Sequence, residues 1–291
     1  MSLVPLPSRA RYEVPLPGRA ALRTGERTLI VGILNITPDS FSDGGTRLDP
    51  DRAIDDGCRM LEEGADILDV GGESTRPGAA PLAAGEELRR VLPVVAGLAA
   101  KGALVSIDTY KAVVAREAIA AGAAIVNDVS GLQFEPELGR VVAEAGAAII
   151  LMHNRARSSE MYRSAVYADV PGEIVSELTA AMTRAAAAGI RREAIIIDPG
   201  IGFSKQAHHS FAALAHLSAL ASLDRPILSG PSRKSFLSDA LGKRPPGERE
   251  WGTAAAVAAS VLLGAHMVRV HRIAEMVDVV RVADRIRGAA D

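Results

Sequence analysis

The sequence predicts an α/β protein, a TIM (β/α)8 barrel with a short N-terminal extension, and three observations carry that expectation. Short continuous apolar runs recur from residue 28 onward, near 29–34, 65–70, 103–107, 123–127, 147–152, 194–197, 226–229 and 266–270. Buried parallel strands read this way, covered on both faces. Helical stretches separate the runs with no linker-like break, which suits a barrel better than a doubly wound sheet. Six of the runs also end on a chemically capable residue: LIVGILN on Asn35, DILDVGGESTR on Arg76, LVSID on Asp108, AIVND on Asn127, AIIIDPG around Asp198, and MVRVH on Arg269 and His271. Ligands in parallel α/β folds sit beyond the carboxyl ends of the strands, so the chain gathers one polar site from many segments.

In chain order, residues 1–27 are rich in Pro and Arg without clear periodicity, and read as an extended or hairpin-like extension. Residues 28–291 form the barrel domain. Candidate helices are ELRRVLPVVAGLAAKG, KAVVAREAIAAG, PELGRVVAEAG, EIVSELTAAMTRAAAAGI and IAEMVDVVRVADRIRG. Gly64, Gly102, Gly122, Gly146, Gly189 and Gly264 each stand just before a strand-like run, where a glycine ends a helix in the left-handed conformation. KRPPGERE, residues 243–250, is the most loop-like interior stretch and separates two helices between the seventh and eighth barrel strands. No fixed-period repeat of solenoid type is present.

Composition bounds the function. Hydrophobic residues make up 48% of the 291, enough for a large core, while aromatics are only 3%. Ala, Val, Ile and Leu dominate, as barrel interiors and their covering helices require. Thirty-three basic against 35 acidic residues leave a net charge of -2, so no global signal for nucleic acid or a membrane surface exists, and any anion site must be local. A single cysteine, Cys58, excludes an intrachain disulfide and a Cys-based zinc site; its helix-like context reads as a packed thiol. With no apolar signal core or transmembrane-length run, a reducing cytoplasm is the expected location.

The first strand leads into NITPDSFSDGG, residues 35–45. Asn35 offers a neutral oxygen to Mg2+, a hard cation that prefers oxygen and also takes substrate phosphates. A Pro/Gly turn with Asn35 bonded to backbone reads equally well, and the residues alone leave both open. His208-His209 lacks a paired ligand motif and is not read as a metal site.

NITPDSFSDGG resembles the first signature of the dihydropteroate synthase family of pterin-binding enzymes. DVGGESTRPG at 69–78 resembles the second, followed in the family's order by SID at 106–108, NDVSG at 127–131, DPGIGF at 198–203, SRKSF at 232–236 and RVH at 269–271. The resemblance covers roughly residues 28–287, and seven motifs in order are highly specific. It implies condensation of 6-hydroxymethyl-7,8-dihydropterin pyrophosphate with p-aminobenzoate, giving 7,8-dihydropteroate and pyrophosphate.

For the pterin, the resemblance implies Asp108, Asn127, Met152, Asp198, Phe203 and Lys234. A carboxylate accepts from adjacent N–H groups, an amide both donates and accepts, and an ammonium only donates, which complements the pyrimidine edge. Arg269 and His271, two residues apart on one strand face, with Asn35 and Mg2+, are implied for pyrophosphate. Phe41, Thr75, Arg76 and Pro77 are implied for p-aminobenzoate, with its carboxylate at Ser235. Ser235 is read at a helix start, where free N–H groups favour an anion, and a plain Ser cap explains it as well. Asn35, Arg76, Lys234, Arg269 and His271 form the implied catalytic set. Replacing Asn35 or Arg269 is expected to depress turnover far more than stability. The family also implies sulfonamides as inhibitors and a homodimer, for which TAAAVAASVLLGA could supply a close helix face or simply core packing.

The match loosens in places. MHNRARSS follows the fifth strand in place of an MHMQG-like sequence, although Met152 and His153 remain. Ser204 and Ser238 stand where Gly is usual, and Arg272 where Asp is usual, reversing a charge beside His271. Two rival readings share the pterin ligands: a pterin-binding methyltransferase barrel, and a non-catalytic pterin-binding paralogue. The methyltransferase would not need the NITPDSF, SRKSF and RVH set, and intact Asn35, Arg76, Lys234, Arg269 and His271 argue against a decayed paralogue.

Overall fold

Alternating strands and helices close into the barrel that the apolar runs predict. The computed structural model describes residues 6–37, 49–74, 78–157, 160–163 and 165–289. A hairpin of β1 (Tyr12–Val14) and β2 (Leu22–Thr24) precedes the barrel. The barrel strands are β3 (Leu29–Asn35), β4 (Ile67–Gly71), β5 (Val105–Asp108), β6 (Ile125–Asp128), β7 (Ala148–Met152), β8 (Ile195–Asp198), β9 (Leu228–Ser229) and β10 (Met267–Val270). They form one parallel sheet in the order β8-β7-β6-β5-β4-β3-β10-β9. Its edges meet at a parallel bridge between Ile197 and Ile227, where Ile197 N donates to Pro226 O at 3.0 Å.

The covering helices are α1 (Pro50–Glu62), α2 (Ala84–Ala100), α3 (Ala112–Ala120), α4 (Glu137–Ala145), α5 (Val170–Ala187) and α6 (Ala207–Ala215). Then come α7 (Leu237–Leu241), α8 (Glu250–Leu262) and α9 (Ile273–Gly288). Residues 242–249 separate α7 from α8 between β9 and β10, where KRPPGERE predicts a loop. Cys58 on α1 is a half-buried thiol packed on the core. The TAAAVAASVLLGA stretch buries Thr253, Ala256, Val257, Ser260 and Val261 within this chain. Among the described residues, no helix is long and apolar enough to cross a membrane.

Several strands start one or two residues later than their apolar runs. Ala65, Ala103 and Ala123 read as strand residues, but their N–H groups bond back to Met60 O, Leu98 O and Ala118 O at 2.9, 3.1 and 2.9 Å. Each is the residue after the terminating glycine, and its amide closes the preceding helix instead of joining the sheet. Gly64, at φ 109, shows the left-handed turn that makes this closure possible.

Side chains on the barrel's inner face alternate with those under the helices, with the period of two that a strand imposes. Leu29, Val31, Ile67, Ile125, Ala148, Ile150, Ile196, Leu228 and Met267 form an inner apolar cluster, while Ile30, Leu68, Val126, Ile149, Ile197 and Val268 pack with the helices. Val14 of the hairpin joins the inner cluster, and Leu16 and Leu22 pack against it. The hairpin thus plugs the end of the barrel where the strands begin. His266 ties it down: its Nδ1 accepts from Ile227 N at 3.0 Å, so Nε2 donates to Ala10 O at 3.0 Å. Burial holds this imidazole down to about 4.

Candidate active site

Stepping two residues along each strand from the apolar layer reaches the other end of the barrel. Ile67 gives way to Asp69, Ile125 to Asn127, Ile150 to Met152, Ile196 to Asp198 and Met267 to Arg269. The strand period therefore aims these side chains into one mouth, as the sequence predicts.

Arg269 is the hub. Its Nε donates to Asp69 Oδ2 at 2.6 Å and its Nη2 to Asp108 Oδ2 at 2.8 Å. Asn127 Nδ2 donates to the same Asp69 oxygen at 2.8 Å. Because that partner is a carboxylate and only accepts, the amide orientation is fixed and Asn127 Oδ1 is left for a ligand. Burial pushes the Asp108 carboxyl up to about 7, with Arg269 opposing and Asp69 adding to the rise. Burial also opposes the Arg269 charge, but Asp69 and Asp108 outweigh it and raise its pKa. Asp69 is fully buried and was missed as a site residue in the sequence, where an acid inside the run ILDVG reads as part of a strand.

Beside this hub lies a pocket lined by Asp108, Asn127, Met152, Asp198, Phe203, Lys234 and Arg269, with Val129, Gly200, Ile201 and Gly230. All six residues that the resemblance implies for the pterin line it. Asp198 Oδ1 accepts from Gly200 N at 2.7 Å. Its Oδ2 faces Gly230, where an added Cβ would stand 3.9 Å away. Lys234 Nζ sits 3.7 Å from the centroid of the Phe203 ring. Burial raises Asp198 to about 6, with the Gly200 amide and Lys234 pulling back. Burial lowers Lys234 to about 7, helped by Arg269 and opposed by Asp198. Gly200 has φ 66, and a Cβ there would fall 2.0 Å from His153 O, so only glycine lets the two loops approach.

Asn35 ends β3 and pairs in register with Gly71. A Cβ at Gly71 would stand 3.6 Å from both Asn35 Oδ1 and Asp108 Oδ2, so the glycine leaves the gap between them open. His271 Nδ1 is 2.9 Å from Ser232 Oγ, which ties RVH to SRKSF; this partner was also missed in the sequence. Arg233, at φ 58, turns the chain between Ser232 and Lys234, and its side chain pairs with Glu250. Ser235 corrects an expectation: α7 starts two residues later, at Leu237, and has no side-chain cap. Ser235 instead lies in the turn before the helix, where Leu237 N donates to Lys234 O at 3.2 Å and Ser238 N to Ser235 O at 3.0 Å. Ser235 is exposed, with its Oγ 3.2 Å from Tyr162 Oη. Arg272 is exposed and paired with Glu275 at 3.2 Å.

Behind the second motif, Glu73 and Glu87 hold the buried Lys111 ammonium between them, and Tyr110 Oη donates to Glu73 Oε1 at 3.0 Å. Phe41, Thr75, Arg76 and Pro77 lie outside the described residues. The rings of His208 and His209 stand 3.9 Å apart, and His209 Nδ1 accepts from Gln206 N at 3.3 Å. Among the described residues, no group of three or more His, Cys, Asp or Glu side chains is placed to hold a metal.

Residues 31–271 match the model of the family described as pterin binding enzyme. The dihydropteroate synthase of Mycobacterium leprae is 48% identical over 259 residues, 87% of this chain and 91% of the relative. The Yersinia pestis dihydropteroate synthase, solved with a sulfonamide drug complex, superposes with a TM-score of 0.88 at 39% identity, covering 95% of this chain and 99% of that one. The Xanthomonas albilineans dihydropteroate synthase, solved with 7,8-dihydropteroate, gives 0.83 at 38% identity, covering 94% and 99%.

Proposed function

The chain belongs to the pterin binding enzyme family, within it to the dihydropteroate synthases, and we propose that it condenses 6-hydroxymethyl-7,8-dihydropterin pyrophosphate with p-aminobenzoate. The carrying observation is the convergence of Asp198, Asn127 Oδ1 and Lys234 in one cavity walled by Met152 and Phe203. Asp198 Oδ2 accepts from the N–H groups of the pyrimidine edge, Asn127 Oδ1 takes a further donor, and Lys234 donates to the ring carbonyl. Met152 and Phe203 supply apolar faces for the flat ring system.

With the ring held, the C–O bond to pyrophosphate breaks as a C–N bond to the arylamine forms. Arg269 Nη1, the guanidinium nitrogen not bonded to Asp69 or Asp108, and His271 donate toward the departing anion. Such donors act strongly where water is excluded. The amine is nucleophilic when neutral and releases its proton after attack, so no strong base is required. Asn35 would hold Mg2+ through its one neutral oxygen, a ligand type this hard cation accepts alongside substrate phosphates. When bound, it would neutralise charge on the leaving group.

Phe41, Thr75, Arg76 and Pro77 hold p-aminobenzoate in this reading, with its carboxylate at Ser235. Sulfonamides, which mimic that substrate, compete with it; the sulfonamide complex of the Yersinia pestis relative supports this. A cytoplasmic homodimer, with residues 28–291 as the catalytic domain and 1–27 as its extension, completes the proposal.

The test is incubation with the pterin pyrophosphate, Mg2+ and labelled p-aminobenzoate. Labelled dihydropteroate is expected, and a sulfonamide should suppress it competitively. Bound pterin without product would sink the reading in favour of a non-catalytic binder, and methyl transfer from a methylated folate would favour a methyltransferase.

A further inference from the structure

Behind the pterin cavity a lysine outside the implied pterin set is buried, and all three of its donors are in use. Lys205 Nζ donates to Gly200 O at 3.1 Å and Phe203 O at 3.1 Å, and lies 2.7 Å from His153 Nδ1. Burial holds His153 neutral, down to about 4, so its Nδ1 can accept while Nε2 faces Glu177 Oε2 at 3.0 Å. An ammonium has three N–H groups and no acceptor, and here each meets an acceptor.

The two carbonyls it holds belong to residues that shape the cavity. Gly200 donates its own N–H to Asp198 Oδ1, so Lys205 fixes the far side of the residue that orients the Asp198 carboxylate. Phe203 carries the ring under Lys234 Nζ. We propose that Lys205 is a positioning residue for the pterin pocket, fixing Asp198 through Gly200 and Lys234 through Phe203. One buried cation thereby sets both the acceptor and the donor that meet the pterin. The assignment rests on the functional reading above.

The neighbouring departures from the family pattern strengthen the same staple. Ser204 takes the left-handed conformation at φ 46, where a side chain is disfavoured. Its Oγ donates to Asn154 Oδ1 at 2.7 Å and accepts from Arg155 N at 3.2 Å, while Tyr167 Oη donates to Ser204 O at 2.9 Å. Arg155 in turn pairs with Glu173 and Glu177 on α5. The loop after β8 is thus fastened to the loop after β7 at Ser204, immediately before Lys205. Burial lowers the Lys205 ammonium to about 7 and Asp198 opposes that fall, which couples its charge to the carboxylate it orients.

The experiment compares wild-type enzyme with Lys205→Met and Lys205→Gln, measuring pterin pyrophosphate binding by calorimetry, KM for each substrate, kcat and Tm. For Lys205→Met, pterin Kd and KM should rise about tenfold or more, with p-aminobenzoate KM within about twofold and kcat at saturation within about threefold. Lys205→Gln keeps a donor without the charge and should recover part of the loss. If Lys205→Met does not fold, Lys205→Gln should show the same split between substrates at smaller size. Unchanged pterin affinity in a folded variant overturns the proposal. So does a parallel rise of both KM values with a fall in Tm, which marks a purely structural role. Failure of the wild-type protein to bind the pterin overturns the functional reading itself, and this inference with it.

Discussion

The two ends of the barrel are built from the same strands, yet they are held together in opposite ways. At the end where strands begin, Leu29, Ile67, Ile125, Ile150 and Met267 meet Val14 of the hairpin in an apolar cluster. At the other end, Asp69, Asp108, Asp198 and Arg269 near the strand ends, with Asn127 and with Lys234 from the loop after β9, bring charged and polar groups inside. Apolar burial is favourable by itself, at roughly 25 cal/mol per Å². A buried charge is tolerated only through its partners, and removing one partner exposes the cost of the other. The first end supplies stability; the second converts some of it into a prearranged polar mouth.

The strongest way to break this contrast is Arg269→Ala. Turnover should fall by about two to three orders of magnitude, as for loss of a preorganised donor. The sequence leads one to expect little loss of stability, but Asp69 and Asp108 depend on this guanidinium. A destabilisation of about 3–5 kcal/mol should therefore accompany the kinetic defect. Adding Asp69→Asn should recover stability without activity. Denaturant titration beside steady-state kinetics checks both, and an Arg269→Ala protein as stable as wild type would sink the hub.

Ile67→Ala tests the opposite end. It should cost about 2–5 kcal/mol in the same titration, as for other buried aliphatic truncations. Turnover per folded molecule should stay near wild type, and a selective loss of kcat would blur the division between the ends.

The histidines sharpen the comparison because one sits near each end. His153 and His266 are both held near 4 by burial, against 6.5 in an unfolded chain. Above pH 6.5 neither state takes up a proton there. Between 6.5 and about 4 the unfolded chain binds protons that the native state refuses, so stability falls by about 3 kcal/mol per histidine. Melting temperatures from pH 7 to 4.5 read this out. His266→Gln should flatten the dependence while leaving pterin binding intact; an unaltered slope would count against the neutral His266.

The smallest effect concerns pH and pterin capture. In the proposed reading Asp198, near 6, accepts from the pterin as the carboxylate, and Lys234, near 7, donates most strongly as the ammonium. The profile of kcat/KM for the pterin should be bell-shaped, with apparent limbs near those values belonging to the coupled set. Lys234→Arg should displace the alkaline limb upward. A flat profile between pH 5 and 8 would remove these two groups from recognition.

Much of the site was legible because a strand has a period of two and exposes its carboxyl end. Asp198, Asn127 and Arg269 stand at the ends of apolar runs and therefore at the mouth. Asp69 was not legible, since an acid within an apolar run carries no mark of the inward face until its register is known. Ser235 misled for a similar reason: SRKSF looks like a helix start, but residues 234–236 form a turn and the helix begins at Leu237. Lys205 follows DPGIGFS in plain view, yet its burial depends on a histidine 52 residues earlier.

The sequence by itself determined which end of the barrel would be polar, the order of the strands' contributions and the chemical type of each group. Periodicity and helix-ending glycines are local, and local physics writes them into the chain. Tertiary structure alone decided who pairs with whom. Arg269 meets Asp69 across 200 residues and Asp108 across 161. Those choices depend on strand register and closure of the barrel, and both are settled only when every strand has found its neighbour.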